Sequence, residues 1–271
     1  MKIAQLQTHV FSDEERNMVC LEEHIDKVMP EAPDLITLGE MFSCPYITEN
    51  FPLYAEAEGG HIWQKLSALA AKYSIYLSAG SVPEVEDGHI YNTAYVFDRN
   101  GSQIAKHRKM HLFDIDIAGG QSFKESDTLT SGNRVTVFDT EFGKIGLCIC
   151  FDFRFPELGR LMALAGAKLI LVPAAFNMTT GPAHWEIMFR SQALNNQCFV
   201  AGTSPARDTD FSYVAWGHSL LVSPWGDIIQ EMDEKEGWII SEINLDDVDK
   251  IRRQLPLLSA RRTDVYELKE L

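Results

Sequence analysis

Three reactive side chains stand where short apolar stretches of the sequence end. The carboxylate of Glu40 closes LITLGE, the ammonium of Lys109 closes QIAKHRK, and the thiol of Cys150 closes KIGLCIC. Such stretches predict buried β-strands, and α/β folds bind ligands at the carboxyl ends of their strands. A thiol that attacks, a carboxylate that moves protons and a cation that holds an oxyanion suit acyl transfer. The ordinary alternative is that each polar residue meets solvent where its strand ends.

The last of these stretches holds a second cysteine, Cys148, two residues before Cys150. In a regular strand both thiols would share a face, where they are poorly placed for a mutual disulfide. A zinc site would need more ligands, and Cys20, Cys44 and Cys198 offer no second close pair. Both thiols could be small buried hydrophobes. Cys150 differs because it lies at the predicted strand-to-helix turn, where backbone N–H groups favour a thiolate.

Two other stretches have the composition of a ligand site. HRKMH at 107–111, with Asp114 and Asp116, could suggest metal ligands, but it lacks the Glu of the zinc-protease helix and its first part reads as a strand. The glycine-rich AGGQS at 118–122 lacks the spacing of a phosphate loop and predicts a turn. The sequence therefore predicts no metal site and no nucleotide site.

The overall composition restricts the partners of the chain. Its 271 residues include 39 acidic and 24 basic side chains, a net charge of −15. Nucleic acids and anionic membranes both require a basic face, so neither is an expected partner. No apolar run reaches the roughly 18–20 residues of a membrane span, and MKIAQLQTHVF is too polar for a signal peptide. The odd, scattered cysteines fit a reducing compartment, so we expect a cytoplasmic protein.

The elements that must position the reactive residues alternate between β-rich and amphipathic helical runs. The first half predicts strands at 2–8, 35–40 and 76–82, helices at 12–29 and 60–73, and a hairpin that turns at 98–101. The second half predicts a strand–turn–strand unit at 135–150, a helix after Pro156, a strand at 168–176, a helix at 182–196 and a turn at 224–227. Ser12 is the predicted N-cap of the first helix, because acidic groups follow it.

The order of these elements predicts the architecture. Two halves of the form β-α-β-α, each followed by β-hairpins, favour two packed sheets with helices outside, which is an α/β four-layer αββα sandwich. No linker rich in Pro, Gly or Ser divides the chain, so we expect one domain over 1–271. Residues 245–271 read as a helix and a charged tail that could lie at a subunit interface.

On these residues the chain resembles the nitrilase superfamily, the carbon–nitrogen hydrolases, over essentially its whole length. The resemblance rests on LITLGEMF, KHRKMHLFD and GLCICFDFRFPEL, which follow one another in the family's order. The family places its nucleophile just before an aromatic–Asp pair. The resemblance therefore implies a nitrilase-like fold, with Cys150 as the nucleophile and Cys148 as a packing residue.

Several stretches are similar to omega-amidases, which hydrolyse the side amide of short dicarboxylic acid monoamides such as 2-oxoglutaramate and succinamate. They are HLFDID, FKESDTLTSG, AAFNMTTGPAHWE, TSPARD and YVAWGHS. In this comparison Glu125 matches a second glutamate that many of these enzymes place beside the triad. One departure lies in MFRSQALNNQ, where many relatives carry an Arg and an acidic residue in place of Gln192 and Asn195. We expect this departure to affect helix packing or an ion pair, and an effect on the substrate is the alternative.

The resemblance implies a mechanism without a metal or an organic cofactor. Glu40 would take the proton of the Cys150 thiol, and the thiolate would attack the amide carbon of a small-molecule substrate. The Lys109 ammonium and the backbone N–H of Phe151 would hold the oxyanion. Glu125 would orient Lys109 or help to position the substrate, unless it is a solvated loop residue.

The free carboxylate of an omega-amide requires donors, and its carbon chain requires a wall. The residues that we assign to substrate binding are Tyr46, Phe113, Phe176, Thr179, Thr180 and Arg207. An arginine can bind a carboxylate as a bidentate fork, and hydroxyls can donate to it. Each of these residues could equally belong to the rim, the surface or the core.

Other functions remain open on the same residues. The triad also fits a nitrilase, a carbamoylase or a deaminated-glutathione amidase, which differ in the acyl and leaving groups. A non-catalytic scaffold is a different class, and it would need no reactive thiol at Cys150. The resemblance further implies at least a homodimer, paired through helices that flank the nucleophile and through the C-terminal tail.

Overall fold

The computed structural model describes residues 1–118 and 122–271. The strands are β1 Lys2–Gln7, β2 Leu35–Leu38, β3 Tyr76–Ser78, β4 Val82–Glu86, β5 His89–Phe97, β6 Gln103–Arg108, β7 Asp114–Asp116, β8 Ser122–Lys124, β9 Thr136–Thr140, β10 Gly143–Leu147, β11 Leu169–Pro173, β12 Phe199–Thr203, β13 Leu220–Val222, β14 Ile228–Glu231 and β15 Gly237–Glu242. The α-helices are α1 Glu14–Val28, α2 Phe51–Tyr54, α3 His61–Tyr73, α4 Pro156–Leu164, α5 Gly181–Asn196 and α6 Asp246–Gln254. The turn predicted at 118–122 falls largely on residues 119–121, outside the described residues.

The first sheet joins both ends of the chain. Its strands follow the order β15-β1-β2-β3-β5-β4, and β6 also pairs with β5. The strands β1, β2 and β3 are parallel, whereas β15 runs antiparallel to β1. The strands β5 and β6 form the predicted hairpin. The first and last strands of the chain therefore belong to one sheet.

The second sheet is built from the second half of the chain. Its order is β14-β13-β12-β11-β10-β9, and β10, β11 and β12 are parallel. The strands β9, β13 and β14 extend it by antiparallel pairs. A separate ribbon of β7 and β8 lies between the two halves in sequence. Each sheet thus has a parallel centre whose carboxyl ends can carry functional residues.

Alternating side chains on β1 show how the layers stack. Gln5 points to the second sheet, where Nε2 donates to the Gly202 carbonyl over 2.9 Å and to Thr203 Oγ1 over 3.1 Å. Its neighbours Ala4 and Leu6 lie in the core that the first sheet forms with α1 and α3. The two sheets therefore face each other, and α1 and α3 cover the outside of the first.

Glycines allow the helices α4 and α5 to cover the outside of the second sheet closely. A Cβ on Gly202 of β12 would lie 2.3 Å from the Phe189 ring of α5. A Cβ on Gly146 of β10 would lie 2.8 Å from Met162 Sδ of α4. Helix, sheet, sheet and helix follow one another, so the predicted four-layer αββα sandwich is confirmed.

Several predicted element boundaries are wrong by a few residues. Asp13, not Ser12, caps α1, because its side chain accepts a hydrogen bond from the Arg16 backbone N–H over 3.2 Å. The strand predicted at 76–82 is two strands, β3 and β4, separated by a turn at Gly80 with φ +59°. The strands predicted at 35–40 and 168–176 end earlier, at Leu38 and Pro173. The last residues of those stretches are free to serve as loops at the strand ends.

The C-terminal region consists of a helix and a tail. Helix α6 ends at Gln254, and residues 255–271 form neither a helix nor a strand. Within the part of the chain that the structure describes, no helix has the length and apolarity needed to cross a membrane.

Candidate active site

The ends of β2, β6 and β10 bring the three predicted catalytic side chains together. Glu40 lies two residues beyond β2, Lys109 directly follows β6, and Cys150 lies three residues beyond β10. Lys109 Nζ donates to Glu40 Oε1 over 2.8 Å, and the Cys150 thiol lies close enough to the Glu40 carboxyl for each group to shift the pKa of the other. Glu40 and Lys109 are fully buried, and Cys150 is 5% exposed. The structure thus gathers a thiol and an ammonium around one buried carboxyl group.

The Glu40 carboxyl is held from further directions. Asn92 of β5 donates from Nδ2 to Oε1 over 2.8 Å, and the Ala175 backbone N–H donates to Oε2 over 3.0 Å. The Tyr46 hydroxyl lies 3.2 Å from Oε1. These bonds fix the orientation of the carboxyl beside the thiol, which a general base needs before it can accept a proton.

A second buried carboxylate, Glu125, shares the ammonium. Its Oε1 accepts from Lys109 Nζ over 2.9 Å and from the Tyr46 hydroxyl. Its Oε2 accepts from the Phe113 backbone N–H over 2.6 Å. The alternative of a solvated loop residue is therefore wrong, because Glu125 is fully buried at the start of the 3₁₀ helix Glu125–Asp127.

The backbone of Cys150 is in an unusual conformation. Its φ is +46°, a left-handed value that costs an L-residue about 1–2 kcal/mol. Cys150 begins the 3₁₀ helix Cys150–Arg154, and Ile149 before it is extended. Since β10 ends at Leu147, the two cysteines do not share a strand face, and Cys148 is fully buried in the core. Backbone strain of this kind clusters at functional sites.

Burial sets the protonation states at rest. Burial raises the pKa of Glu40, the Lys109 ammonium opposes this shift, and Glu125 adds to it. Burial also raises the pKa of the Cys150 thiol, and Glu40 adds to that shift. The expectation of a thiolate favoured by backbone N–H groups is therefore wrong for the resting site. Although burial lowers the pKa of Lys109, Glu125 and Glu40 raise it well above its ordinary value, so the ammonium stays charged.

A cavity adjoins the cluster at the Glu40 carboxyl. Its wall includes Glu40, Met41, Tyr46, Ala175, Pro205 and Tyr213. The Tyr46 and Tyr213 rings lie 4.5 Å apart between centroids, and the Tyr213 hydroxyl donates to the Ala175 carbonyl. Aromatic rings and a few polar atoms thus surround the space beside the carboxyl.

The predicted substrate-binding residues lie in different surroundings. Tyr46 belongs to the cluster, whereas the Thr180 hydroxyl donates to Asn177 Oδ1 over 3.0 Å and Thr179 is exposed. Arg207 donates from Nη2 to the Trp216 carbonyl over 2.8 Å and stacks on the Trp216 ring. These contacts direct Thr180 and Arg207 to neighbouring loops instead of to the triad.

The aromatic candidates divide in the same way. Phe113 packs against Phe151 at 5.2 Å between ring centroids, and its N–H holds Glu125. Phe176 packs against Trp185 at 5.0 Å, in the core beneath α5. Phe113 therefore contacts the cluster directly, and Phe176 supports it from the core.

Sequence reasoning missed Arg154, at the end of the nucleophile's 3₁₀ helix. Its guanidinium lies 4.5 Å from the Phe176 ring centroid and 5.8 Å from that of Phe151. Nη1 lies 3.1 Å from His184 Nδ1. Burial lowers the pKa of Arg154, and the nearby Cys150 thiol opposes that shift. An arginine four residues after a candidate nucleophile was the signal that could have found it.

The two histidines of HRKMH contact Asp152 instead of Asp114 and Asp116, the aspartates that the sequence grouped with them. His107 Nε2 and His111 Nδ1 each lie 2.8 Å from a carboxylate oxygen of Asp152. Among residues 1–118 and 122–271, no group of three or more His, Cys, Asp or Glu side chains is placed to hold a metal ion. The two histidines of this segment therefore hold the Asp152 carboxylate in place.

The departure at Gln192 and Asn195 concerns the contact between helices. Gln192 of α5 donates from Nε2 to the Phe153 carbonyl over 3.1 Å and accepts from Asn196 Nδ2 over 2.8 Å. Asn195 is exposed and donates to Ser191 Oγ over 3.2 Å. Gln192 thus supports the 3₁₀ helix that carries Cys150.

An αββα sandwich with a buried Glu–Lys–Cys cluster at its strand ends defines a hydrolytic enzyme with a candidate cysteine nucleophile. The family Carbon-nitrogen hydrolase matches residues 2–253, and the chain belongs to this family.

Relatives agree with this membership over the full length. Omega-amidase NIT2 of Bos taurus is 43% identical over 267 residues, which cover 98% of this chain and 97% of the relative. Nitrilase homolog 2 of Dictyostelium discoideum is 44% identical over 269 residues, covering 98% and 82%. The crystal structure of Saccharomyces cerevisiae Nit3, a member of branch 10 of the nitrilase superfamily, has a TM-score of 0.89 at 38% identity, covering 97% and 96%. The predicted nitrilase-superfamily fold is thereby confirmed.

Proposed function

We propose that this chain is an omega-amidase that hydrolyses short dicarboxylic acid monoamides, such as 2-oxoglutaramate and succinamate, through a thioester at Cys150. The observation that carries the proposal is the buried cluster of Glu40, Lys109 and Cys150 in a chain 43% identical to an omega-amidase over 98% of its length. The cavity that adjoins Glu40, with Tyr46 and Tyr213 in its wall, supports a small substrate at this position.

Acylation begins with the neutral thiol. Glu40 takes the Cys150 proton, and Sγ forms a bond to the amide carbon. A carboxyl with a raised pKa is a stronger base than an exposed glutamate, which suits it to a thiol whose pKa is also raised. The Lys109 ammonium and the Phe151 N–H hold the oxyanion. The intermediate collapses as Glu40 returns the proton to the leaving nitrogen, and ammonia departs.

Deacylation reverses these roles for water. Glu40 removes a proton from a water molecule, whose oxygen attacks the thioester carbon. The carbon–sulfur bond then breaks, the Cys150 thiol regains a proton, and the acid leaves. Overall one amide and one water give one carboxylic acid and one ammonia, with no cofactor. Glu125 contributes by holding Lys109 Nζ and the Tyr46 hydroxyl in place.

Arg154 is the residue that we propose for the substrate carboxylate. The Cys150 thiol lies close enough to Arg154 to oppose the fall in its pKa that burial causes, and the guanidinium contacts His184. An arginine can bind a carboxylate with two parallel hydrogen bonds. We expect Arg154→Met to raise KM for succinamate about 10–100-fold, by analogy with the loss of one charge-assisted contact. Butyramide, which lacks the carboxylate, should react equally with both proteins.

The test of the function is ammonia release by the protein and by Cys150→Ala. The panel is 2-oxoglutaramate, succinamate, glutamine, an N-carbamoyl amino acid and a simple nitrile. Release from the first two compounds, absent in the variant, supports the omega-amidase. Release from another compound alone would retain the thiol mechanism and reject the substrate. No ammonia release from any compound, together with a Cys150 thiol that iodoacetamide alkylates no faster than free cysteine, would favour a non-catalytic scaffold.

We also propose that two copies pair through α5. Its outward side chains Ile187 and Leu194 are 68% and 39% exposed, and the adjacent Trp225 is 53% exposed. Apolar groups in such a patch favour burial against another surface. The C-terminal tail at 255–271 would extend the interface. Sedimentation at micromolar concentration should give twice the 30.6 kDa chain mass, and Ile187→Glu should reduce it; a monomeric unmodified chain would reject pairing.

The remaining proposals concern the whole chain. We propose that residues 1–271 act as one domain, supported by β15 pairing with β1, and that the protein works in the cytoplasm. All five cysteines are free thiols, which suits a reducing compartment. Single-transition unfolding and cell fractionation test these two proposals.

A further inference from the structure

Asp152 is a fully buried carboxylate that the proposed chemistry does not use. It lies two residues after Cys150, inside the 3₁₀ helix Cys150–Arg154. No mechanism step requires it, because Glu40 supplies the proton transfers. A buried charge with no chemical task needs a structural or positioning explanation.

Five hydrogen bonds converge on the two Asp152 oxygens. Oδ1 accepts from the Met110 N–H over 3.0 Å and from the His111 N–H and Nδ1, each over 2.8 Å. Oδ2 accepts from His107 Nε2 over 2.8 Å and from the Ile149 N–H over 3.1 Å. The carboxylate therefore binds two separate segments of the chain at once.

These two segments carry the proposed oxyanion cation and the nucleophile. His107, Met110 and His111 bracket Lys109, which is not itself bonded to Asp152. The bond from Ile149 closes the turn in which Cys150 adopts φ +46°. Asp152 thus connects the backbone on both sides of Lys109 to the strained turn of Cys150.

The charge of Asp152 is secure, unlike that of Glu40. Burial would raise its pKa, but the hydrogen bonds of His107 and His111 hold the pKa well below its usual range. Asp152 therefore remains an acceptor at every working pH and takes no proton from the reaction. The His111 ring is further fixed by stacking on Phe155 at 3.7 Å between centroids.

We propose that Asp152 is a positioning residue that holds the Lys109 ammonium and the Cys150 thiol in register, with His107 and His111 as the side chains through which it acts. The proposal rests on the proposed roles of Lys109 and Cys150. Misplacement of reacting groups by about 1 Å can cost on the order of 10²-fold in rate. Loosening the connection between these segments should therefore lower the reaction rate.

The sharpest test uses His111, which is partly exposed and can be altered without removing a buried charge. In His111→Asn the side-chain amide can still donate to Asp152 Oδ1, whereas in His111→Ala only backbone N–H groups donate to that oxygen. We expect His111→Ala to lower kcat about 10-fold or more with little change in KM, and His111→Asn to restore most of the loss. His61→Ala, an exposed histidine on α3, is the control and should leave kcat unchanged.

Two further measurements separate the possible failures. The rate at which iodoacetamide alkylates Cys150 depends on the position of the thiol and requires no amide substrate. It therefore remains informative if the substrate class is wrong. We expect Asp152→Asn and His111→Ala to slow alkylation, because the thiol is less well placed beside Glu40. Equal kcat values for His111→Asn and His111→Ala would overturn the proposal, as would losses that follow the folded fraction measured by circular dichroism.

Discussion

Two buried glutamates, Glu40 and Glu84, contact neighbouring residues of β5 and have opposite electrostatic surroundings. Asn92 of β5 donates to Glu40, and its neighbour Thr93 donates to Glu84 over 2.7 Å. Adjacent residues of a strand point to opposite faces, so Asn92 and Thr93 hold the two carboxylates on opposite sides of β5. Each carboxylate also binds a cation from the end of the β6 segment.

The two glutamates differ in the number of cations available to each buried carboxylate. Glu84 has two cations, since Lys106 Nζ donates to Oε1 and the Arg108 guanidinium donates to both oxygens over 2.8–2.9 Å. Burial would raise the pKa of Glu84, but Arg108 and Lys106 lower it. Glu40 has one cation, Lys109, which it shares with a second buried carboxylate, and its pKa is raised.

This comparison shows that a buried carboxylate–cation pair is not by itself a catalytic signal. An excess of cations keeps Glu84 ionised, and therefore a poor base. Burial, with only one shared cation to oppose it, gives Glu40 a raised pKa beside a thiol, which is the property that proton transfer needs.

Glu40→Gln should have the largest effect on activity. Glutamine keeps the shape of the side chain but cannot accept a proton, and general-base catalysis contributes on the order of 10²–10⁴-fold. We expect kcat with succinamate to fall by that factor, and Cys150 alkylation to slow in parallel. The matched variant Glu84→Gln should leave kcat unchanged. Equal losses in the two variants would mean that the charge ratio does not distinguish a base from a structural carboxylate.

The cations provide the next comparison. Lys109→Met should lower kcat on the order of 10²–10³-fold, because it removes a donor to the oxyanion. It also removes the charge that opposes repulsion between Glu40 and Glu125, so the pKa of Glu40 rises further. The matched variant is Lys106→Met, which removes a cation that contacts Glu84 from the same β6 segment. It should retain full kcat. An active Lys109→Met would reject the role of the ammonium.

The positions of the three catalytic candidates could be predicted because each ends a strand of recognisable pattern. Glu40, Lys109 and Cys150 follow apolar stretches, and parallel strands bring their carboxyl ends to common edges. The alternation of elements likewise predicted the αββα layers. Patterning over several residues carries this information, since it reflects which face of an element is buried.

The other partners of Glu40 could not be predicted in this way. Asn92 is one polar residue inside a strand, and Ala175 contributes only a backbone N–H, which no side-chain pattern reveals. The left-handed backbone at Cys150 could not be predicted either, because only glycine marks a position of positive φ in the sequence. These features depend on how two halves of the chain meet, not on local sequence.

Glu84→Gln should affect stability where Glu40→Gln affects rate. Removing one partner of a buried ion pair leaves uncompensated charge and costs about 3 kcal/mol. We therefore expect a lower Tm at pH 7 with unchanged kcat per folded molecule, measured by thermal unfolding and active-site titration. Glu86→Gln is the control, because Glu86 is an exposed partner of Arg108 and its loss should not change Tm. A Tm for Glu84→Gln equal to that of the control would show that the two cations do not depend on Glu84.

The smallest effect, and the most direct comparison of the two carboxylates, is the pH dependence of these stability differences. The folded-state pKa of Glu84 is lowered, so its contribution is present above its ordinary value of 4.5 and is lost as the pH falls through the folded pKa. The Tm deficit of Glu84→Gln should therefore stay constant from pH 7 to about 4.5 and narrow below it. The folded-state pKa of Glu40 is raised, so the stability that its carboxyl contributes is present below 4.5 and is lost as the pH rises through the folded pKa. Glu40→Gln should consequently gain Tm relative to the unmodified protein as the pH rises. Differences that slope the same way for both variants would remove the distinction between an ionised structural carboxylate and a base with a raised pKa.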